Sequence, residues 1–265
     1  MEMKFKHLSF SKRLKSMCVV DFRRMFTMPL LYIMTGISLV IPILVMVMTT
    51  MFDGTTSVNP QTGMETTMQG FENTWQGIAS LSGAGMSMDL TSMCNINLVY
   101  FMAAVLICTF VAADFRSGYS KNLFTVRAKK ADYVISKILV GFVGGVIMLL
   151  AYFIGTILGG AIAGLSFDLG TAGVGGLIMC MLAKTCLIAV FVPIYLLMSV
   201  IGKDKLWLSV VGSLMSGMLL FMMIPMLTPL DAGFMNVLLC FAGGMMFCFG
   251  LGAAGNGILN KRDIL

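Results

Sequence analysis

Six apolar stretches, at about 29–51, 93–113, 138–164, 174–201, 206–228 and 234–256, occupy most of this 265-residue chain. A hydrocarbon core of about 30 Å takes about 20 residues of helix to cross, and each stretch meets that length. No other feature constrains the fold as strongly, because inside a bilayer a helix satisfies its own backbone polar groups. Composition agrees: 58% of residues are hydrophobic and 11% charged, against about 25% charged in soluble domains. The expected fold is therefore an all-α polytopic membrane protein. It comprises an N-terminal segment, 1–28, and a six-span domain, 29–265. The fifth stretch is the weakest, since Pro225 and Pro229 interrupt its end and break it into a short or re-entrant piece.

Charge sets the orientation. Seven Lys or Arg precede the first stretch, six lie between Arg116 and Lys137, two are Lys203 and Lys205, and two are Lys261 and Arg262. The alternate loops 52–92, 165–173 and 229–233 have none, and carry Asp53, Glu65, Glu72, Asp89, Asp168 and Asp231 instead. The positive-inside rule then puts both termini on the cytoplasmic side of the cell membrane. The basic N-terminus runs about 28 residues before the first span, and no A-x-A site follows, so that span reads as retained.

Several local patterns refine this layout. Phe10, Leu14, Cys18, Phe22 and Met25 recur at helical spacing, which fits an amphipathic helix lying along lipid headgroups; a plain basic tail is the alternative. Ala151, Gly155, Gly159 and Ala163 are small residues four apart, suited to close helix packing within the bundle or at a subunit interface. Span six has comparable glycines. The stretch Phe71–Leu81 reads as a short surface helix with Phe71 and Trp75 at the interface. The seven cysteines lie mostly in apolar runs, form no C-x-x-C, and read as small packing residues.

Enzyme chemistry is missing at depth. The one histidine, His7, precedes the first span, and Asp168 and Asp231 sit in loops. Neither H-E-x-x-H nor a phosphate-binding G-x-x-x-x-G-K-[ST] occurs. These absences argue against an enzyme and against a cofactor, metal or nucleic acid bound by the chain itself. Lys184 is the intramembrane polar candidate, and it either snorkels outward or faces a hydrated cavity.

The loop between spans two and three has internal order. Asp114, Arg116 and Gly118 lead into Tyr119–Val126, two turns of helix with Tyr119, Leu123 and Val126 on one side. Arg127, Lys129 and Lys130 follow, and Asp132 is placed to cap the next helix. An orientation signal needs charge alone; an apolar helical side suits docking. Asp114, Arg116, Gly118, Asn122, Leu123, Arg127, Tyr133, Val134, Ser136 and Lys137 together resemble the loop of the permeases of type 2 ATP-binding-cassette (ABC) exporters. Asp114 stands where that family more often has Glu.

The resemblance spans the chain in layout and about 25 residues in motif. It implies a coupling helix seated on a separate cytoplasmic ATPase subunit that binds the ATP, a second permease copy or homologue, and membrane lipids around them. Asp114, Arg116, Gly118, Tyr119, Leu123, Val126 and Arg127 would carry the coupling. Cargo of such permeases includes antimicrobial peptides, lipids, glycans and ions. The rival reading is a non-transporting membrane scaffold or an uncoupled secondary transporter, neither of which needs a docking helix after span two.

Overall fold

The structure is a computed structural model and describes residues 9–58, 65–67, 70–79, 95–126, 129–170, 172–221 and 223–261. Helix α1 (Phe10–Thr27) leads directly into α2 (Pro29–Met51), with Pro29 at the first helical position, where its missing N–H costs nothing. A hairpin of two three-residue strands, β1 (Thr56–Val58) and β2 (Glu65–Thr67), follows with Thr56 opposite Thr67. Then come α3 (Leu98–Arg116), α4 (Tyr119–Val126), α5 (Lys130–Ala163) and α6 (Gly173–Gly202). The chain ends in α7 (Leu206–Phe221), α8 (Ile224–Leu227) and α9 (Phe234–Lys261).

Five of these helices, α2, α3, α5, α6 and α9, are long and apolar enough to cross a membrane. The protein is thus a multi-pass membrane protein by architecture. The expected fifth stretch is shorter than read: α7 ends at Phe221, and at 1.5 Å per residue its 16 residues span about 24 Å. Pro225 then sits at the start of the separate helix α8. Helix α5 begins at Lys130, eight residues before its apolar stretch, so its first turns form a polar stem.

Helix α5 is the centre of the bundle, packed by α1, α2, α3, α6 and α9. The small-residue pattern explains how. A Cβ on Gly155 would collide with the Leu39 carbonyl oxygen, and one on Gly159 would come within 2.9 Å of Ile43 Cα. These glycines are spent inside one chain, on the backbone of α2, as the first of the two packing readings has it. Nothing lies within 4 Å of a Cβ built on Gly250 or Gly257 of α9.

Helix α9 packs chiefly on α6. Pro193, inside α6, has no N–H for the Ala189 carbonyl four residues back. The Cys248 thiol of α9 donates to that carbonyl at 3.3 Å, so the two helices meet where one of them lacks a backbone bond.

The segment 71–79 differs from its expected form. It is a 3-10 turn (Thr74–Gly77) sunk into the bundle, with Phe71, Trp75 and Ile78 buried. Trp75 Nε1 donates to the Phe167 carbonyl at 3.0 Å, the Thr74 amide to Ser166 at 3.0 Å, and the Asn73 side-chain amide to the Asp168 carbonyl. The Ile96 amide donates to the Gly77 carbonyl at 2.9 Å, tying the start of α3 to the same turn. An aromatic pair beside a span suits a lipid interface and a protein interior equally, and here the interior takes it.

Candidate functional site

The basic end of the bundle gathers α1, the end of α3, α4 and the polar stem of α5. The lipid-facing line expected for α1 is Phe10, Leu14, Cys18, Phe22 and Met25. Its buried line shares only Met25 with that set and runs Met17, Asp21 and Met25, with a carboxylate at its centre. The reason for that carboxylate lies more than a hundred residues away.

Asp21 and Asp114 are both fully buried, and so is Lys137, at 1% exposure. Lys137 Nζ lies 2.8 Å from Asp21 Oδ1 and 2.7 Å from Asp114 Oδ2, bridging α1 and α3 from the α5 stem. Ser136 donates to Asp21 Oδ2 at 2.6 Å, and Tyr133 donates to Asp114 Oδ2 at 3.0 Å. Arg24 completes the group, with Nη2 at 2.6 Å from Asp114 Oδ1 and Nη1 at 3.8 Å from Asp21 Oδ1. Two carboxylates therefore face two cations, and the cluster is neutral as a whole. That matters because an unmatched buried charge costs several kcal/mol, whereas a matched and hydrogen-bonded set is tolerated.

Aromatic faces close the cluster. The Phe110 ring centroid lies 3.9 Å from Lys137 Nζ, and the Tyr119 ring centroid 4.1 Å from the Arg24 guanidinium carbon. Arg24 thus connects α1 to α4 through a cation–π contact. Burial works against the Arg24 charge, but Asp114, by charge and hydrogen bond, and Asp21 outweigh it and raise its pKa. Burial and the same carboxylates raise the Tyr119 phenol, against the opposing pull of Arg24.

Asp132 is not the helix cap. Lys129 holds that position, and Asp132, three residues in, pairs with Arg13 Nε at 2.9 Å. It is a second tie between α1 and the α5 stem, favourably placed in a first turn.

The expected coupling residues do not stay together. Asp114 and Tyr119 belong to the cluster. Arg116 leaves it and donates to the Asp204 carbonyl at 3.0 Å, holding the α6–α7 connection to the end of α3. Gly118 makes the corner between α3 and α4, in the left-handed region at φ 71°, where a side chain would be strained. Val126 is the last residue of α4, and Arg127 lies outside the described residues.

The apolar side of α4 is turned onto the protein's own bundle. Leu123 and Phe124 pack against the core, and Phe124 meets the Tyr133 ring edge-on at 5.4 Å. Lys121, Asn122 and Thr125 form the exposed side. An amphipathic pattern shows that one side is covered without showing by what, and here the cover is internal.

Lys184 lies at the opposite end and does not snorkel outward. It is fully buried, with Nζ donating to Asn97 Oδ1 and to Thr228 Oγ1, both at 2.9 Å. The Thr228 hydroxyl in turn donates to the Ile224 carbonyl at 2.9 Å, and Tyr100 donates to the Lys184 carbonyl at 2.9 Å. One side chain of α6 therefore fixes the start of α3 and the end of α8, where the α7 direction is lost. No carboxylate forms an ion pair with Lys184 among the described residues. Those residues also hold no group of three metal-ligating side chains.

The resemblance singled out Asp114, Tyr133, Ser136 and Lys137 within one loop. It gave no sign that Asp21 and Arg24 join them. The available signal was an aspartate close to the apolar side of an amphipathic helix, which asks for a buried cation. Comparison with protein-family models, curated proteins and solved structures finds no match to this chain.

Proposed function

We propose that this chain is the membrane subunit of an ATP-driven ABC exporter. It works with a separate cytoplasmic ATPase and a second copy or homologue of itself to move a substrate across the cell membrane. In this reading α7 with α8 supplies the sixth crossing, and both termini and α4 lie in the cytoplasm, as the basic residues favour. ATP is bound and hydrolysed on the partner chain, and this chain holds no cofactor. The cargo belongs to the set the resemblance implies: an antimicrobial peptide, a lipid, a glycan or an ion.

One observation carries the reading. Asp114, Tyr133 and Lys137, all drawn from the motif, close on one buried cluster at the foot of α4. A loop serving only topology needs its charges exposed and has no use for a folded joint. The joint makes α4 stiff with α1, α3 and α5, and tightly packed interiors transmit displacement rather than absorb it. The surface offered to the ATPase is the polar side, Lys121, Asn122 and Thr125.

The test follows from that surface. The tagged full chain is purified in mild detergent from its own host, and co-eluting vanadate-sensitive ATPase is measured. Lys121→Glu with Thr125→Glu should abolish co-elution while the apparent Tm stays within about 2 °C, as for exposed substitutions. ATPase co-eluting undiminished with the double variant would refute docking through α4. No ATPase with the unmodified chain would refute the exporter reading.

A further inference from the structure

Among the described residues, a cavity of about 430 Å³ lies between α6, α7, α8 and α9. That is within the range of about 300–1,000 Å³ typical of sites that hold a ligand-sized molecule. Its origin is visible in the chain. Helix α7 stops at Phe221, and the chain resumes as α8 at Ile224, so no continuous helix fills the space beside α9. Gly243 of α9 leaves it open further, since a Cβ there would meet nothing nearer than Val190 Cγ2 at 3.9 Å.

The walls come from Val190, Leu220, Ile224, Leu239, Met246 and Phe247 among others, and apart from the Cys240 thiol every lining side chain is apolar. Along α9 they run from Leu239 to Phe247, about 12 Å of helix at 1.5 Å per residue. The nearby polar groups are already used, because Thr228 bonds Lys184 and the Ile224 carbonyl. Water needs two to four polar partners to stay in such a space, and the one thiol of Cys240 does not supply them.

The rim decides the occupant. Leu239, Met246 and Met223 are 56%, 66% and 53% exposed on the outer surface of the bundle, so the cavity is continuous with the lipid-facing surface of membrane-spanning helices. The geometry points to a binding site for one acyl chain of a bilayer phospholipid, lying along α9 and taking the place that a longer α7 would fill. This site is independent of ATP-driven transport.

The probe is a phosphatidylcholine with a photoreactive diazirine midway along one acyl chain. The full-length protein is reconstituted in vesicles containing it, irradiated, and mapped by peptide mass spectrometry. The peptide covering Leu239–Phe247 should be labelled about fivefold more than the α2 peptide with exposed Tyr32, Ile33, Val40 and Leu44. The excess should be saturable by unlabelled phospholipid. Gly243→Leu, which fills the cavity, should remove it, while Gly250→Leu, with open space around it, should keep it. Equal labelling of the two peptides would overturn the site, as would an excess that persists in Gly243→Leu. If Gly243→Leu does not fold, the saturation measurement on the unmodified protein decides alone: labelling that never saturates means bulk lipid only.

Discussion

Replacing Lys137 with Met is the sharpest test of the cluster at the foot of α4. The substitution keeps most of the apolar stem and removes the ammonium that touches Asp21 at 2.8 Å and Asp114 at 2.7 Å. Arg24 alone then faces two buried carboxylates, so the site carries one uncompensated negative charge. Breaking a buried pair from one side costs about 3–5 kcal/mol. At about 2–4 °C per kcal/mol for a chain of this size, the apparent Tm in detergent should fall by about 6–20 °C. The double variant Asp21→Asn with Lys137→Met restores neutrality, leaving Asp114 with Arg24 at 2.6 Å, and Asn can still accept from Ser136. Its loss should undercut the sum of the two single losses by about 1–3 kcal/mol. The measurement is thermal unfolding of the four proteins in one detergent, with exposed Lys121→Met as a control. A single variant within about 2 °C of the parent, or strictly additive losses, would refute the claim that these charges are held as one neutral unit.

Further outcomes follow from other contacts. Gly155→Val should force α2 off α5 and cost at least about 1–3 kcal/mol, whereas Gly250→Val should be silent in the same thermal assay. Lys184→Met strands the Asn97 side-chain oxygen and leaves Thr228 only its bond to the Ile224 carbonyl, and should cost about 1–3 kcal/mol; an unchanged Tm would mean the Lys184 bonds carry no stability. Trp75 is 9% exposed and Trp207 is 67% exposed. In single-tryptophan variants, lipids brominated on the acyl chain should therefore quench Trp207 and spare Trp75, and the reverse result would contradict the buried placement of the 71–79 segment.

The crossing helices were legible because length and apolarity suffice to mark them, and α4 because its residues alternate at helical spacing within eight positions. What was not legible depends on contacts between distant positions. Asp21 and Lys137 are 116 residues apart, and nothing local in either sequence names the other. Asp132 looked like a cap because caps are a short-range pattern, but Arg13, on a different helix, holds it. Lys184 looked like a lone membrane cation because its acceptors, Asn97 and Thr228, are uncharged and lie at the ends of other helices far along the chain.

The bond from Cys248 to the Ala189 carbonyl ties the history of one helix to that of another. A chain with alanine at position 193 would satisfy that carbonyl from its own backbone, and position 248 would be released to carry valine or alanine. Among natural variants, a proline at 193 should therefore keep company with a hydrogen-bond donor at 248, cysteine or serine, and the two should be lost together.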